Sequence, residues 1–441
     1  MVRAMQPRII PRKEHNISRK QVSPNALRTL YRLRDNGFIA YLVGGCVRDL
    51  LLGRVPKDFD IATDATPGQI KRLFRNCRLI GRRFRLAHLH FQDEILEVST
   101  FRAAAPVNDS EVSETDLPKR PPRHLKNEDG MVLRDNVFGT PEEDALRRDF
   151  TINALAYNIE DFSVIDYCNG LNDLEQRLIR PIGVPEVRFT EDPVRMIRAV
   201  RFAASHDFVI EQSTWETLCT LAPTITRASP ARLYEEIQKL FLLGAARSIF
   251  PLLTDSGLMA ALFPGLARWL DANGNNQAML QTHLECIDRL CGNGVPPSLP
   301  LFLAALFGPV LEEETLLRHR DGVPHQQALH SVCAQFMEEF CRIVCVPGRV
   351  GGQMRGILSM QLSLHRIPPK RPASLVARAD FTDAISYLCV TSRTREESRN
   401  ARQWWQTYLE NPSAADATSP EAPAKRRRRR RSRRRPAKTA D

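Results

Sequence analysis

Residues 40–63, AYLVGGCVRDLLLGRVPKDFDIAT, decide how the rest of the chain is read. An apolar run, Phe38 to Val43, reads as a strand and ends in Gly44-Gly45. An apparent helix, Cys46 to Leu52, follows and is stopped by Gly53. Asp58 and Asp60 then flank Phe59 at the head of a second apolar run. Side chains two apart in a strand share a face, so both carboxylates are expected to point the same way. Two carboxylates held that close repel by about 1 kcal/mol in bulk water and about 4 kcal/mol at an effective dielectric of about 20. A divalent cation removes that cost, and Mg²⁺ favours carboxylate oxygens together with substrate phosphates. The glycine turn and helix N-terminus beside the pair offer backbone N–H groups to phosphate. The segment points to a metal-dependent site for a nucleoside triphosphate.

On the N-terminal side, Ser23 caps a helix starting at Pro24, with Leu27, Leu30 and Leu33 along one side. Downstream, Thr66-Pro67 opens a helix carrying Ile70, Leu73 and Phe74, and strands are expected at Leu86–Phe91 and Ile95–Phe101. Residues 103–130 are polar and Pro-rich and read as a mobile loop beside the site. Thr140-Pro141-Glu142-Glu143 is a capping box that introduces Arg147, Arg148, Asp149 and Asn153. Ser163 to Tyr167 reads as a last strand, and the pattern beyond about residue 182 is helical to Leu409. Trp404-Trp405 is expected to anchor the final helix, with a partner as the alternative.

The expected fold is α+β. A small mixed or antiparallel-sheet head precedes an all-helical neck and body and a disordered basic tail. The boundaries are a flexible leader at 1–22, the head at 23–182, the neck at 183–250, the body at 251–410, and linker plus tail at 411–441.

A phosphoryl displacement between two metals calls for a further carboxylate. Glu97, in the middle of ILEVSTF, is one candidate, since a buried Glu needs a cation nearby. Asp149, in RRDFTIN, is the other, with a helix cap or an ion pair to Arg148 as its plainer role. In RFTEDPVRMIRAVRFAA (188–204), Asp192 before Pro193 reads as a helix start, and Arg195, Arg198 and Arg201 recur along one side. Guanidinium forks suit triphosphate or base edges, and Arg48, Arg102, Arg147 and Arg148 add more. No GxxxxGK[ST] and no kinase signature set is present. His206-Asp207 reads as a loop after a helix, and His88 and His90 as one strand face.

The net charge of +12 over 441 residues belongs to the C-terminus. Residues 425–438 hold 11 basic residues, and without them 52 basic residues face 51 acidic ones. Lys425, Arg426, Arg427, Arg428, Arg429, Arg430, Arg431, Arg433, Arg434 and Arg435 form a run suited to a polyanion, RNA above all. Ten cysteines without CxxC spacing read as small apolar residues of a reducing cytosol. No 18-residue apolar run or secretory leader is found, so a cytoplasmic location without a membrane span is expected.

The run VGGCVRDLLLGRVPKDFDIATDATP, followed by EVSTFR, RRDFTINALAY and EDPVRMIRAVRF in that order, resembles the class II nucleotidyltransferases of the polymerase-β superfamily. These include tRNA CCA-adding enzymes and bacterial poly(A) polymerases. The resemblance covers roughly residues 25–245 and implies template-free nucleotide addition to RNA 3′ ends. CRLIGRRFRLAH, LRDNVFGTPEEDALRRDF and the Arg-rich C-terminus lean toward the poly(A) branch. That branch adds AMP from ATP, releases pyrophosphate and promotes RNA processing and decay.

The resemblance gives Asp58, Asp60 and Asp149 the catalytic carboxylate positions, with Glu97 beside them, and Asp58 and Asp60 the metal. Gly44, Gly45, Arg48 and Asp49 resemble a triphosphate and ribose shelf, and Asp192 and Arg195 the motif that reads the incoming base. Arg102, Arg148, Asn153, Arg198 and Arg201 complete the nucleotide-binding set. The implied cofactor is a pair of Mg²⁺ ions, with Mn²⁺ as a substitute. The implied partners are ATP and RNA 3′ ends, with RNA-decay or RNA-chaperone proteins as further candidates, and the chain is expected to be a monomer. A CCA-adding enzyme using CTP and a catalytically idle RNA-binding protein are the rival readings.

Overall fold

Alternation of buried and open residues builds the head. In Ile95–Thr100 every second side chain is buried, and in Leu86–His90 Ala87 and Leu89 are fully buried between partly open neighbours. The computed structural model describes residues 6–81, 85–103, 124–126, 132–135, 137–241, 244–294 and 296–411. Its strands are, in chain order, β1 (Arg8–Ile10), β2 (Ala40–Val43), β3 (Asp60–Thr63), β4 (Cys77–Ile80), β5 (Leu86–His90) and β6 (Ile95–Thr100). They continue with β7 (His124–Lys126), β8 (Val132–Asp135), β9 (Ala156–Asn158), β10 (Val164–Asp166), β11 (Leu178–Ile179) and β12 (Val209–Ile210). Eight of them form one mixed sheet in the order β1-β10-β9-β2-β3-β6-β5-β4. The pairing that matters for function is β3 with β6, parallel, which sets Asp60 directly across from Glu97.

Three expectations are corrected. Residues 7–22 are not a flexible leader. β1 pairs antiparallel with β10, and Ile10, Ile17 and Val22 are buried because they complete the head's apolar core. Asp58 lies outside the strand. Beyond Val43 the left-handed turn at Gly44 (φ 76°) turns β2 away, so its register with β3 ends at Leu42 and Ile61 and Asp58 has no opposite residue. The region beyond residue 182 is not purely helical, because β12 returns to pair in parallel with β11.

Helices otherwise fill residues 185–410, and their apolar faces join the head in one continuous core from Ile10 to Tyr408. Trp405 is fully buried and donates its indole N–H to the carbonyl of Leu364 at 3.0 Å, anchoring the Glu396–Glu410 helix as expected. No described helix is long and apolar enough to cross a membrane. The basic run 425–435 and most of the 103–130 segment lie outside the described residues.

Candidate active site

A cleft of about 670 Å³ opens where the head sheet meets the neck. Six carboxylates line it: Asp58, Asp60, Glu97, Asp144, Asp149 and Asp192. Nine cations line it too: Arg48, Arg102, Arg147, Arg148, Arg195, Arg198, Arg201, Arg232 and Lys239. Such an excess of fixed positive charge in a concave site suits a polyphosphate. Gly44 forms the floor as N-cap of the Gly45–Leu51 helix. A Cβ there would stand 2.8 Å from Nη1 of Arg148.

Asp58, Asp60 and Glu97 occupy one lip. Solvent reaches Asp60 through the mouth, yet the cleft walls strip much of its hydration. That loss and the charges of Glu97 and Asp58 push its carboxyl up to about 6, against the pull of Arg148. Glu97 is not the buried acid expected from its strand. Its side chain is 45% exposed, because the side of β6 that carries it faces the cleft, and His88 Nε2 lies 3.6 Å from it.

Asp149 is committed elsewhere. Burial alone would raise its pKa, but Arg198, at 2.7 Å through Nε and 2.5 Å through Nη2, holds it far below the usual carboxylate range. Its other oxygen accepts from the Phe150 N–H at 2.8 Å and from Asn153 Nδ2 at 3.1 Å. It neither caps a helix nor pairs with Arg148, whose Nη2 turns to Asp144 at 3.1 Å. Asp192 is not the N-cap of the Val194–His206 helix; it ends the preceding Pro185–Glu191 helix as its C-cap. Pro193 holds the N-cap position, and Asp192 instead receives both Nη atoms of Arg232 at 2.7 Å, which keeps it ionised against burial. Arg195 donates to the carbonyl of Arg188 at 2.8 Å and to Glu191 at 3.3 Å.

A chain of bonds crosses the cleft floor. Arg48 clasps Asp49 Oδ1 through Nε (2.9 Å) and Nη2 (2.8 Å), and its Nη1 donates to Asn153 Oδ1 at 2.7 Å. Asn153 joins Asp149, then Arg198, and Arg198 joins Glu236 at 3.2 Å. Glu236 also lies 3.3 Å from Arg201 and from Lys239. Phe202 sits at the centre, 6% exposed, with the guanidinium carbons of Arg48, Arg198 and Arg201 at 5.2, 5.3 and 4.4 Å from its ring.

The structure gathers the residues named from the sequence around this cleft; only the basic tail falls outside the description. Asp49 stands just behind its wall, bonded to Arg48. Sequence reasoning missed Phe202, Asp144, Arg232 and Glu236. One signal was available: Glu236 lies on the buried face of the Pro230–Phe241 helix, in line with Leu233, Ile237 and Leu240. His206 was misread as a loop residue. It ends the Val194–His206 helix, is 9% exposed, and its Nε2 lies 3.5 Å from Asp49 Oδ1.

Residues 40–180 match the Poly A polymerase head domain, 207–270 the Probable RNA and SrmB-binding site of polymerase A, and 321–438 the Polymerase A arginine-rich C-terminus. The chain is 42% identical over 405 residues to Poly(A) polymerase I of Salmonella typhi, covering 91% of this chain and 85% of that protein. The chain belongs to the poly(A) polymerase family. Poly(A) polymerase I of Escherichia coli O6:H1 is 41% identical over 402 residues, 90% of this chain and 84% of the other. By contrast, the CCA-adding enzyme of Lactobacillus gasseri, 36% identical, aligns over 54% of this chain and 55% of its own. Among solved structures, the Bacillus stearothermophilus CCA-adding enzyme in complex with CTP superposes with a TM-score of 0.61 at 25% identity, over 89% of this chain and 84% of that one. As a poly(A) polymerase family member the chain is a nucleotidyltransferase, and the family is generally dependent on divalent metal.

Proposed function

We propose that this cleft transfers AMP from ATP to RNA 3′ ends, with Asp58, Asp60 and Glu97 as the metal-holding carboxylates. The observation that carries the reading is the split in the cleft: a carboxylate lip faces a wall of arginines. Among the described residues no three such side chains already converge on one point, but carboxylate oxygens of this kind are the donors that a divalent cation would draw together. Asp60, with its carboxyl raised by burial and then by the charges of Glu97 and Asp58, gains from added positive charge. Bound Mg²⁺, or Mn²⁺ in its place, supplies Lewis acidity toward the 3′-hydroxyl and the triphosphate.

The chain's own residues do the rest. The N-terminus of the Gly45–Leu51 helix and Arg148 meet the triphosphate beside Gly44. Arg201 lies over the Phe202 ring and meets Glu236 as an ion pair at 3.3 Å without a hydrogen bond, and its guanidinium lines the cleft where it can meet charge on the nucleotide. Asp149 acts here as a positioning residue: it fixes Arg198 and, through Asn153, Arg48. The 3′-hydroxyl oxygen attacks the α-phosphorus and gives its proton to water in the open cleft, the bond from the α-phosphorus to the bridging oxygen breaks, and pyrophosphate leaves with that oxygen. No protein nucleophile takes part.

The test is a labelled RNA incubated with Mg²⁺ and either ATP alone or ATP with CTP. A long ladder with ATP alone is expected. Three additions that require CTP would identify a CCA-adding enzyme instead, and no turnover an idle RNA-binding protein.

A further inference from the structure

A second cavity, of about 440 Å³, lies in the helical body, far in sequence from the catalytic lip. Its walls come from the Pro264–Ala272, Gly274–Gly292, Leu299–Arg320, His325–Ile343, Gly348–Leu364 and Glu396–Glu410 helices. Leu316, Leu329, Leu358, Leu362 and Met279 make it apolar, and Trp269 closes one side. A concave apolar site of this size with a few polar groups has the form of a small-molecule pocket.

Its hydrogen-bonding capacity is unusual in sign. Gln361 is 7% exposed, and its amide nitrogen donates to the carbonyls of Ile357 and Ala384, both at 3.0 Å. Those two donations fix the amide, so Oε1 is a buried acceptor, and it has no partner among the described residues. Glu312 lines the same cavity, held by Arg395 and by the hydroxyl of Tyr387 at 3.1 Å. Glu313 and Glu397 stand exposed in the lining, and Glu313 accepts through one oxygen from the Trp269 indole N–H at 2.6 Å, which leaves its other oxygen for a guest. His365 has both ring nitrogens engaged, by the Gln361 carbonyl at 2.8 Å and by Ser398 at 3.0 Å. The lining therefore offers three carboxylates and the Gln361 acceptor against one arginine, already spent on Glu312, and His325, which burial biases toward its neutral form.

We infer that this cavity binds an aliphatic di- or polyamine. An inner ammonium group would meet Gln361 Oε1 and Glu312, an outer one Glu313 and Glu397, and the methylene stem between them would lie on the leucine walls. Charge decides between guests. The carboxylates that attract an ammonium repel a phosphodiester, so an RNA nucleotide is the disfavoured occupant. The chemistry is separate from the catalytic cleft, where cations predominate.

The test is calorimetric titration of the full-length protein with spermidine at physiological salt, and with 1,6-hexanediol as a neutral control of similar shape. Saturable one-to-one binding of spermidine and none of the diol is expected. The double variant Glu313→Gln/Glu397→Gln alters two exposed side chains and should bind about tenfold more weakly. Leu316→Trp, at the half-open wall, should abolish binding by filling the cavity. Both variants should keep normal ATP-dependent elongation and an unchanged melting temperature. Absence of saturable spermidine binding, or undiminished binding by both variants, would overturn the proposal. So would protection of Trp269 fluorescence by an oligoadenylate and not by spermidine, which would assign the cavity to an RNA base.

Discussion

Gly44 is favoured as glycine by its positive φ, and a Cβ there would also press on the movable guanidinium of Arg148. Gly44→Ala should cost about 1–2 kcal/mol from the backbone alone. It should also displace Arg148, seen as a raised KM for ATP. Asp60 carries the clearest pH dependence. Its carboxyl is raised from 3.8 to about 6, so the metal-free folded protein holds an extra proton between those values. Stability from this site is therefore lost as pH rises through that window. Without metal, Asp60→Asn should melt higher than the parent near pH 7.5 and equally near pH 4. With ATP, Mg²⁺ and RNA, the same variant should show almost no elongation while remaining folded. Near-normal elongation would remove Asp60 from the metal site. The sequence made the pair legible because Asp58 and Asp60 are neighbours; it could not show that Asp149 is neutralised, since Arg198 lies 49 residues away.

At the scale of the element, the Pro230–Phe241 helix props up the nucleotide wall. Arg232 holds Asp192, and Glu236 holds Arg198, Arg201 and Lys239. Glu236 is only 6% exposed, so Glu236→Gln leaves a buried arginine cluster undercompensated. The expected loss is about 3 kcal/mol in urea unfolding. The arginines would also splay, raising KM for ATP more than it lowers kcat. A variant with unchanged stability and KM would show that the cluster holds itself. The strands were legible from alternation and the helix starts from capping residues, as at Thr140 and Ser23. How helices cross was not. Glu236 meets Arg198 only because the two helices pack together, and no local pattern encodes that crossing.

Across the whole molecule, head motifs were readable because their chemistry repeats at short spacing, while the body has only helical periodicity to offer. The basic run at 425–435 should add RNA affinity without sequence preference. If it engages about five phosphates of a single strand, log K falls against log[salt] with a slope of about −3.5. Removing residues 425–441 should flatten that slope, measured by filter binding over a salt series; an unchanged slope would put the RNA on the body. The parallel β11–β12 pair and the continuous core tie head to neck, so growing RNA is expected to slide past a fixed cleft rather than ride on a hinge.

The first described strand has a practical meaning of its own. Residues 8–10 pair along β10 and so shield one margin of the eight-stranded sheet. Trimming the chain to residue 23 would strip that cover, baring a row of unpaired amides and carbonyls on β10 and the apolar seats of Ile10, Ile17 and Val22. Uncovered margins of this kind recruit strands from other molecules. The shortened protein should therefore form aggregates whose growth scales with concentration, even with every catalytic residue in place.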